Sequence, residues 1–214
     1  MVSPHRHPIG DQTGVMVWQW PTPRPVLSSA PVGGGHRFAS WLLNIGVPID
    51  YARTDLAVHA QEIADELALS GEGVTLLTAA DVRMAQRSER EGVTVDATVG
   101  ISKPTWAADP DGGYTPWSPG TINLVIEVPV ALSESAAVNV VITATEAKTQ
   151  ALFEAGVPGT GTASDAIVVI WSESGPTEDF AGPRSVWGSH VALAVHDAVT
   201  KGVIAAASPL ERLQ

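Results

Sequence analysis

The side chains best suited to chemistry are concentrated in residues 141–170, where a helical pattern gives way to a glycine-rich loop and then to an apolar run. Thr145 and Lys148 form a T-x-x-K pair, which resembles the arrangement in which a lysine amine serves as base for a hydroxyl nucleophile. Glu146 lies between them, and Asp165 ends the loop. These residue types predict nucleophilic or general acid–base catalysis.

A second polar stripe runs along the same predicted helix. Its members recur at i, i+4, i+7 and i+11 and therefore point into one narrow sector: Asn139, Thr143, Glu146 and Gln150. One charge in four differs from the Lys/Glu mixture of a solvated face. The helix also leads directly into a loop of hydroxyls and one carboxylate: Thr160, Thr162, Ser164 and Asp165. Most such stripes are solvated helix faces, and these two features argue for a functional face here.

The loop itself, GVPGTGTA, has the glycine spacing of a phosphate-binding loop between Gly156 and Gly161. It lacks the lysine that reaches the terminal phosphates, and it connects a helix to a strand rather than a strand to a helix. Phosphate binding is therefore rejected, and the loop is predicted to be the mouth of a catalytic or substrate-binding site. Trp106 and Trp117, in a turn-rich segment at 102–120, either stack on a flat ligand or fix that segment to the body.

Composition excludes several classes of protein. The 214 residues include no cysteine, so disulfides, zinc fingers, iron–sulfur clusters and thiol catalysis are ruled out. A formal net charge of −11 without any Lys/Arg cluster argues against nucleic-acid binding. Neither a secretion signal nor a long uninterrupted apolar run is evident, so a cytoplasmic protein that does not enter a membrane is expected.

Hydrophobic periodicity gives the elements that must position these side chains. Strands are predicted at 15–20, 25–30, 73–79, 92–101, 121–132 and 166–174. Helices are predicted at 33–46, 54–71, 80–91, 135–155 and 188–207. The helix at 135–155 is expected to bury an apolar stripe of Val138, Val141, Ile142, Thr149, Leu152 and Phe153.

Strands and helices interleave irregularly, which predicts an α+β or mixed α/β fold, with one or more mixed sheets covered by helices. We expect a flexible arm at 1–14, a single domain at 15–208 that contains the Trp/Pro/Gly-rich loop at 102–120, and a tail at 209–214.

Three ordered motifs, GTINLVIEV, ITATEAKTQAL and TGTASDAIVV, make the chain similar to the adenosylcobinamide amidohydrolase family. LSSAPVGGGH with Asn44, GVTLLTAADVR with Asp81, and FAGPRSVWG extend the resemblance over residues 28–199. The chain departs from the family pattern at Ala163–Ser164, where Gly-Thr is expected, at Ser185 for threonine and at Phe180 for tyrosine. These departures affect the expected substrate preference more than the expected reaction.

The resemblance implies hydrolysis of the amide that joins aminopropanol to a corrin side chain of adenosylcobinamide. The product would be adenosylcobyric acid, in corrinoid salvage or remodelling. The cobalt corrinoid is then a small-molecule substrate, and no cofactor or metal ligand is expected. A divalent metal stays open, because Asp81, Glu146 and Asp165 could converge in space. The sequence gives neither the oligomeric state nor the sheet order.

Without cysteine, the nucleophile is a water molecule or a Ser/Thr hydroxyl, and we favour water with Asp165 or Glu146 as general base. Lys148 and the loop at 160–164 are expected to contact the oxyanion or the substrate. Substrate binding is expected of Asn44, Asp81, Asn123, Thr143, Thr145, Thr160, Thr162, Ser164, Trp106 and Trp117. Two other hypotheses are a non-catalytic corrinoid carrier or sensor, and an enzyme acting on a different amide.

Overall fold

The computed structural model describes residues 3–8, 14–109 and 120–211. The strands are β1 His5–His7, β2 Val15–Ser28, β3 Gly35–Gly46, β4 Gly73–Thr78, β5 Gln86–Arg90, β6 Val93–Val99, β7 Ile122–Val128, β8 Ala131–Leu132, β9 Ala166–Trp171 and β10 Thr177–Glu178. The helices are α1 Leu56–Glu66, α2 Glu134–Glu154 and α3 Val186–Glu211, and a short 3₁₀ turn covers Val82–Met84. Among the described residues, no helix combines the length and apolar character needed to cross a membrane.

Eight strands form one mixed sheet in the order β4-β3-β2-β9-β7-β6-β5, with β1 added beside β2. The β3–β4 and β7–β9 pairs are parallel, and the other pairs in the sheet are antiparallel. A small parallel pair, β8–β10, lies apart from it. The predicted fold class, a mixed sheet covered by helices, is confirmed.

The sheet curls so that its two halves face each other. The β2–β3 register shifts across residues 19–24, a segment with two prolines that donate no backbone hydrogen bond. Before this break in β2, two hydrogen bonds reach β6. Trp18 Nε1 of β2 donates to Asp96 Oδ2 over 3.2 Å, and Asn44 Nδ2 of β3 donates to Thr98 Oγ1 over 3.1 Å. Since β6 is not adjacent to β2 or β3 in the sheet, these contacts cross its concave interior.

Each face of the curled sheet has its own apolar core. The concave interior is filled by residues such as Trp18 and Leu42 together with Val168. Helices α2 and α3 cover the outer face of β6, β7 and β9, and α1 covers the outer face of β2 and β3 through Ile63 and Ala64. Burial on both faces means that the strands read as continuous apolar runs.

Two predicted helices are wrong. Residues 33–46 form mostly strand β3, which lies between β2 and β4 and is buried on both faces from Trp41 to Gly46, so its apolar run has no twofold alternation. Residues 80–91 form a turn and the edge strand β5, in which Glu89 and Arg90 are exposed. Arg87 of this strand pairs with Asp96 of β6, and Ser88 donates to Asp197 of α3 over 2.7 Å. The predicted strands at 15–20 and 25–30 are one continuous, bulged strand.

Helix α2 is confirmed, but of its predicted buried stripe only Leu152 is fully buried, with Val141 and Thr149 partly buried. The buried face consists mainly of alanines, with Val140, Leu152 and Lys148. Val138 and Ile142 are half exposed, and Phe153 is 75% exposed. Small side chains allow α2 to lie close to the sheet and to α3, so the alanines rather than the larger residues mark the packed face.

We predict that Asp96 makes the stability of the protein fall with rising pH. Burial raises the pKa of the Asp96 carboxyl, an effect that Arg87 and the Trp18 hydrogen bond oppose. A raised native-state pKa gives stability that is complete below the unfolded-state value of about 3.9 and is lost as pH rises through the native value. Relative to Asp96→Asn, which keeps an acceptor for both donors, the wild type should lose free energy of unfolding as pH rises. Urea denaturation at stepped pH checks this, and a difference that is constant or grows with pH contradicts it.

Candidate active site

A cavity of about 740 Å³ opens where the ends of β3 and β4 meet the beginnings of β7 and β9. Its walls come from these strand ends, the turn after β2 and the segment between β3 and α1. The lining residues are Ser29, Pro31, Val47, Asp50, Tyr51, Ala52, Arg53, Leu56, Leu77, Thr78, Ala79, Thr121, Asn123, Ser164, Asp165 and Ala166. Apolar walls with a few convergent polar groups are typical of ligand-binding sites.

Asp165 is held by four donors at the start of β9. Its Oδ1 accepts from the Ile122 amide over 3.0 Å, and both carboxylate oxygens accept from the Thr162 amide over 3.2 Å. The Thr162 hydroxyl donates to Oδ1, and the Lys148 ammonium forms an ion pair with Oδ2. The carboxylate therefore joins α2, the loop at 155–165 and β7 at one wall of the cavity.

Lys148 and Asp165 are both largely buried, with side-chain exposures of 8% and 13%. Gly161 makes this approach possible: a Cβ there would lie 2.5 Å from Lys148 Nζ and closer still to Asp165 Oδ2. The glycine is thus required by the ion pair rather than by a phosphate group.

The loop reaches this position through a defined helix end. At the C-terminus of α2, the amides of Gly156 and Val157 donate to Phe153 and Leu152, with Gly156 at φ +72°, which is a Schellman motif. Further along, Thr160 and Gly161 pair with the backbone of Thr105 over 2.9 Å on each side. The segment that carries Trp106 is therefore fixed to the loop.

Ser164 and Thr121 form a hydroxyl pair on the cavity wall. Their Oγ atoms lie 2.8 Å apart, and Ser164 Oγ also donates to the Gly120 carbonyl over 3.2 Å. Because the Ser164 proton is directed to a carbonyl, the Thr121 proton is available either to Ser164 or to a ligand oxygen.

Tyr51 also lines the cavity, and it pairs with His59, which is not a lining residue. The Tyr51 hydroxyl and His59 Nδ1 of α1 lie 2.6 Å apart. Burial lowers the pKa of the His59 imidazole and raises that of the Tyr51 hydroxyl, so both are neutral at pH 7. Arg53, on the same segment, bonds to Asp55 and Glu62.

Glu146 is not part of this cavity. It lies on α2 beside a second hollow of about 250 Å³ that faces α3, and Thr143, Gln150 and His196 also line that hollow. Residues two apart on a helix point in widely different directions, so Glu146 and Lys148 face different sides. The expectation that Glu146 and Asp165 share a cavity is therefore wrong, and the polar stripe of α2 leads to the second hollow.

Other predicted site residues also lie away from the cavity. Thr145 is exposed, and its hydroxyl donates to the Val141 carbonyl of its own helix. Thr143 is buried and donates to Ala181 O, and Thr160 bonds to the segment at 104–107. Asp81 caps the turn at Val82–Met84 and pairs with Arg83.

The sequence also predicts contacts from Trp106 and Trp117 and leaves a metal site open. Trp106 is half exposed and does not line the cavity, and Trp117 lies outside the described residues. Asp81, Glu146 and Asp165 do not converge. Within residues 3–8, 14–109 and 120–211, no three His, Asp or Glu side chains are close enough to hold a metal ion.

Six of the predicted site residues lie together at the cavity wall or directly behind it: Lys148, Asp165, Thr162, Ser164, Asn123 and Asn44. Sequence reasoning did not identify Ser29, Asp50, Tyr51, Arg53 and Thr121 as wall residues. Thr121 stands in the GTIN motif and could have been found there. Ser29 follows β2 in the LSSAPVGGGH stretch, whereas Asp50, Tyr51 and Arg53 reach the cavity only through the position of the segment before α1, which no local pattern signals.

Known proteins resemble this chain over most of its length. A family model described as adenosylcobinamide amidohydrolase matches residues 2–209. The adenosylcobinamide amidohydrolase of Halobacterium salinarum is 36% identical over 177 residues, which are 78% of this chain and 74% of that protein. The protein of the same name from Methanosarcina mazei is 29% identical over 184 residues, or 82% and 86%. A Pyrococcus horikoshii protein of known crystal structure aligns with a TM-score of 0.45 and 13% identity, covering 96% of this chain and 83% of its own.

We predict that Gly161→Ala disturbs the ion pair. The added methyl group displaces Lys148 or Asp165, and overpacking of this kind typically costs about 1–3 kcal/mol of unfolding free energy. Gly182→Ala is the matched control, because a Cβ at Gly182 meets no atom within 4 Å, and a change within about 0.5 kcal/mol is expected there. Urea denaturation measures both, and equal stability of the two variants contradicts the steric role of Gly161.

Proposed function

We propose that this chain, which belongs to the adenosylcobinamide amidohydrolase family, hydrolyses the amide that joins aminopropanol to the corrin ring of adenosylcobinamide. The products are adenosylcobyric acid and aminopropanol, and the reaction serves corrinoid salvage. The observation that carries the proposal is the cavity in which Asp165, Ser164, Thr121 and Asn123 converge, since the family motifs supply these residues. The cobalt ion belongs to the substrate.

The cavity suits one arm of a large substrate. At about 740 Å³ it lies within the range of drug-sized ligand sites, about 300–1,000 Å³, whereas a corrin ring with its adenosyl group is larger. The amide-bearing arm enters, and much of the macrocycle stays outside. The exposed segment with Asp50 and Arg53 lines the cavity and is placed to contact the ring.

Asp165 is the proposed general base because, of the two carboxylates considered, it alone lines the cavity. Its donors fix the orientation of the carboxylate before substrate binds. Proton uptake requires one donor to yield, and the Thr162 hydroxyl can do so by rotating from donor to acceptor. Lys148 lies beside the site, paired with the other carboxylate oxygen of Asp165.

The carbonyl oxygen of the substrate needs a donor as it becomes an oxyanion. Thr121 supplies one when its hydroxyl turns from Ser164 to the ligand. The backbone of Gly161 and Thr162 lies beside Lys148. The positive charge of Lys148 stabilises the negatively charged tetrahedral intermediate.

The bond changes balance as an ordinary hydrolysis. The water oxygen bonds to the carbonyl carbon while its proton passes to Asp165. The proton then passes from Asp165 to the amide nitrogen as the carbon–nitrogen bond breaks. The free amine takes a further proton in solution, and the new acid leaves as a carboxylate.

The direct test of function uses purified protein and adenosylcobinamide. We expect stoichiometric release of aminopropanol and adenosylcobyric acid, resolved by chromatography. Tight binding without release contradicts the proposal and indicates a corrinoid carrier, whereas release from a different corrinoid amide alone changes the substrate assignment.

The assignment of the base makes a sharper prediction. Asp165→Asn should lower kcat at least about a hundredfold, the usual contribution of a general base. Glu146→Gln should stay within about twofold of wild type, because Glu146 lines the other hollow. Steady-state release of aminopropanol measures both, with circular dichroism as the folding control. Loss of turnover in Asp50→Asn but not in Asp165→Asn would move the base to the other carboxylate on the cavity wall.

A further inference from the structure

Asn123 carries an unpartnered acceptor at the wall of the cavity. The residue is 1% exposed, and its Oδ1 is a buried oxygen with no hydrogen-bond partner among the described residues. A buried polar atom without a partner costs about 1–3 kcal/mol, so each such atom calls for a group that completes it, and at a cavity wall that group is a ligand or a water molecule.

The orientation of this side-chain amide is fixed by its neighbours. Nδ2 donates to Leu77 O over 3.0 Å and to Asn44 Oδ1 over 2.9 Å. A backbone carbonyl only accepts, so reversing the amide would place two acceptors against each other. Asn44 is held in turn by its own donation to Thr98 Oγ1 over 3.1 Å. The unpartnered atom of Asn123 is therefore the oxygen, and it requires a donor.

The position of Asn123 relates this acceptor to the proposed chemistry. Asn123 is paired with Ala166 across β7 and β9, and the preceding residue, Ile122, donates its amide to Asp165. Thr121, two residues earlier and just before β7 begins, lines the same cavity. A carbonyl carbon beside Asp165 and Thr121 brings its attached nitrogen into this neighbourhood.

We infer that Asn123 Oδ1 accepts a hydrogen bond from the N–H of the scissile amide and thereby selects an amide over an ester. This inference rests on the proposed function. During hydrolysis the leaving nitrogen takes up a proton and gains positive charge, which strengthens an N–H···O bond. An interaction that strengthens in the transition state raises kcat rather than only lowering KM. An ester oxygen has no hydrogen to donate and gains nothing from this contact.

The test compares adenosylcobinamide with the ester in which oxygen replaces its leaving nitrogen. Both give adenosylcobyric acid, so one chromatographic assay follows both. Asn123→Ala should lower kcat/KM for the amide at least about tenfold more than for the ester, mainly through kcat. Thr98→Val is the matched control, since it removes the hydrogen-bond partner of Asn44 but leaves the Asn123 oxygen in place. Its amide-to-ester ratio should equal that of wild type.

The ratio of kcat/KM for the amide to kcat/KM for the ester is independent of the folded fraction, because both substrates meet the same enzyme population. Asn123→Thr serves as a second variant. Equal losses on both substrates overturn the inference. They would mean that the oxygen contacts another part of the corrinoid or a water molecule. If the wild type hydrolyses neither compound, the proposed function fails, and equilibrium binding decides the inference separately. The wild type must then bind the amide about tenfold more tightly than the ester, and Asn123→Ala must lose that preference.

Discussion

The ion pair between Lys148 and Asp165 is the interaction on which the site depends. Lys148 belongs to α2 and Asp165 to the start of β9, and the Ile122 amide adds β7 to the same carboxylate. A buried charge that loses its partner typically destabilises a protein by about 3–5 kcal/mol. Each of these elements therefore constrains the others, and the loop at 155–165 has little freedom to adopt another path. Gly161 permits this close approach, whereas Gly156 ends α2 and Gly159 lies against Thr105.

The curled sheet supplies the second requirement, which is a polar wall inside an apolar interior. The hydrogen bonds from Thr98 through Asn44 to Asn123 and Leu77 cross the concave side of the sheet and join its two halves. A polar chain in such a place is stable only when its members are satisfied. Here one atom, the oxygen of Asn123, has no partner among the described residues, and it belongs to a residue that lines the cavity.

Much of this could be predicted from the sequence, because several signals were local. The motif around Asp165 identified the carboxylate, the hydroxyls and Lys148, and the strands and helices with clear periodicity were placed correctly. Strand β3 was missed because a strand buried on both faces has no alternation to detect. Glu146 was grouped with Asp165 because the polar stripe of α2 leads into the loop, but this stripe faces the second hollow, on a different side of the helix from Lys148. The wall that Tyr51 and Asn123 form with Leu77 depends on the curl of the sheet, a long-range property that no local pattern records.

The central claim is that the scissile amide lies between Asp165 and the β7 wall. The most direct measurement is a crystal structure of the Asp165→Asn variant with intact adenosylcobinamide. The account predicts that the scissile carbonyl lies within hydrogen-bonding distance of Thr121, with the side chain at position 165 facing the carbonyl carbon and the amide nitrogen toward Asn123. A complex in which the aminopropanol arm occupies the hollow lined by Glu146 and His196, or lies outside the cavity, would contradict it.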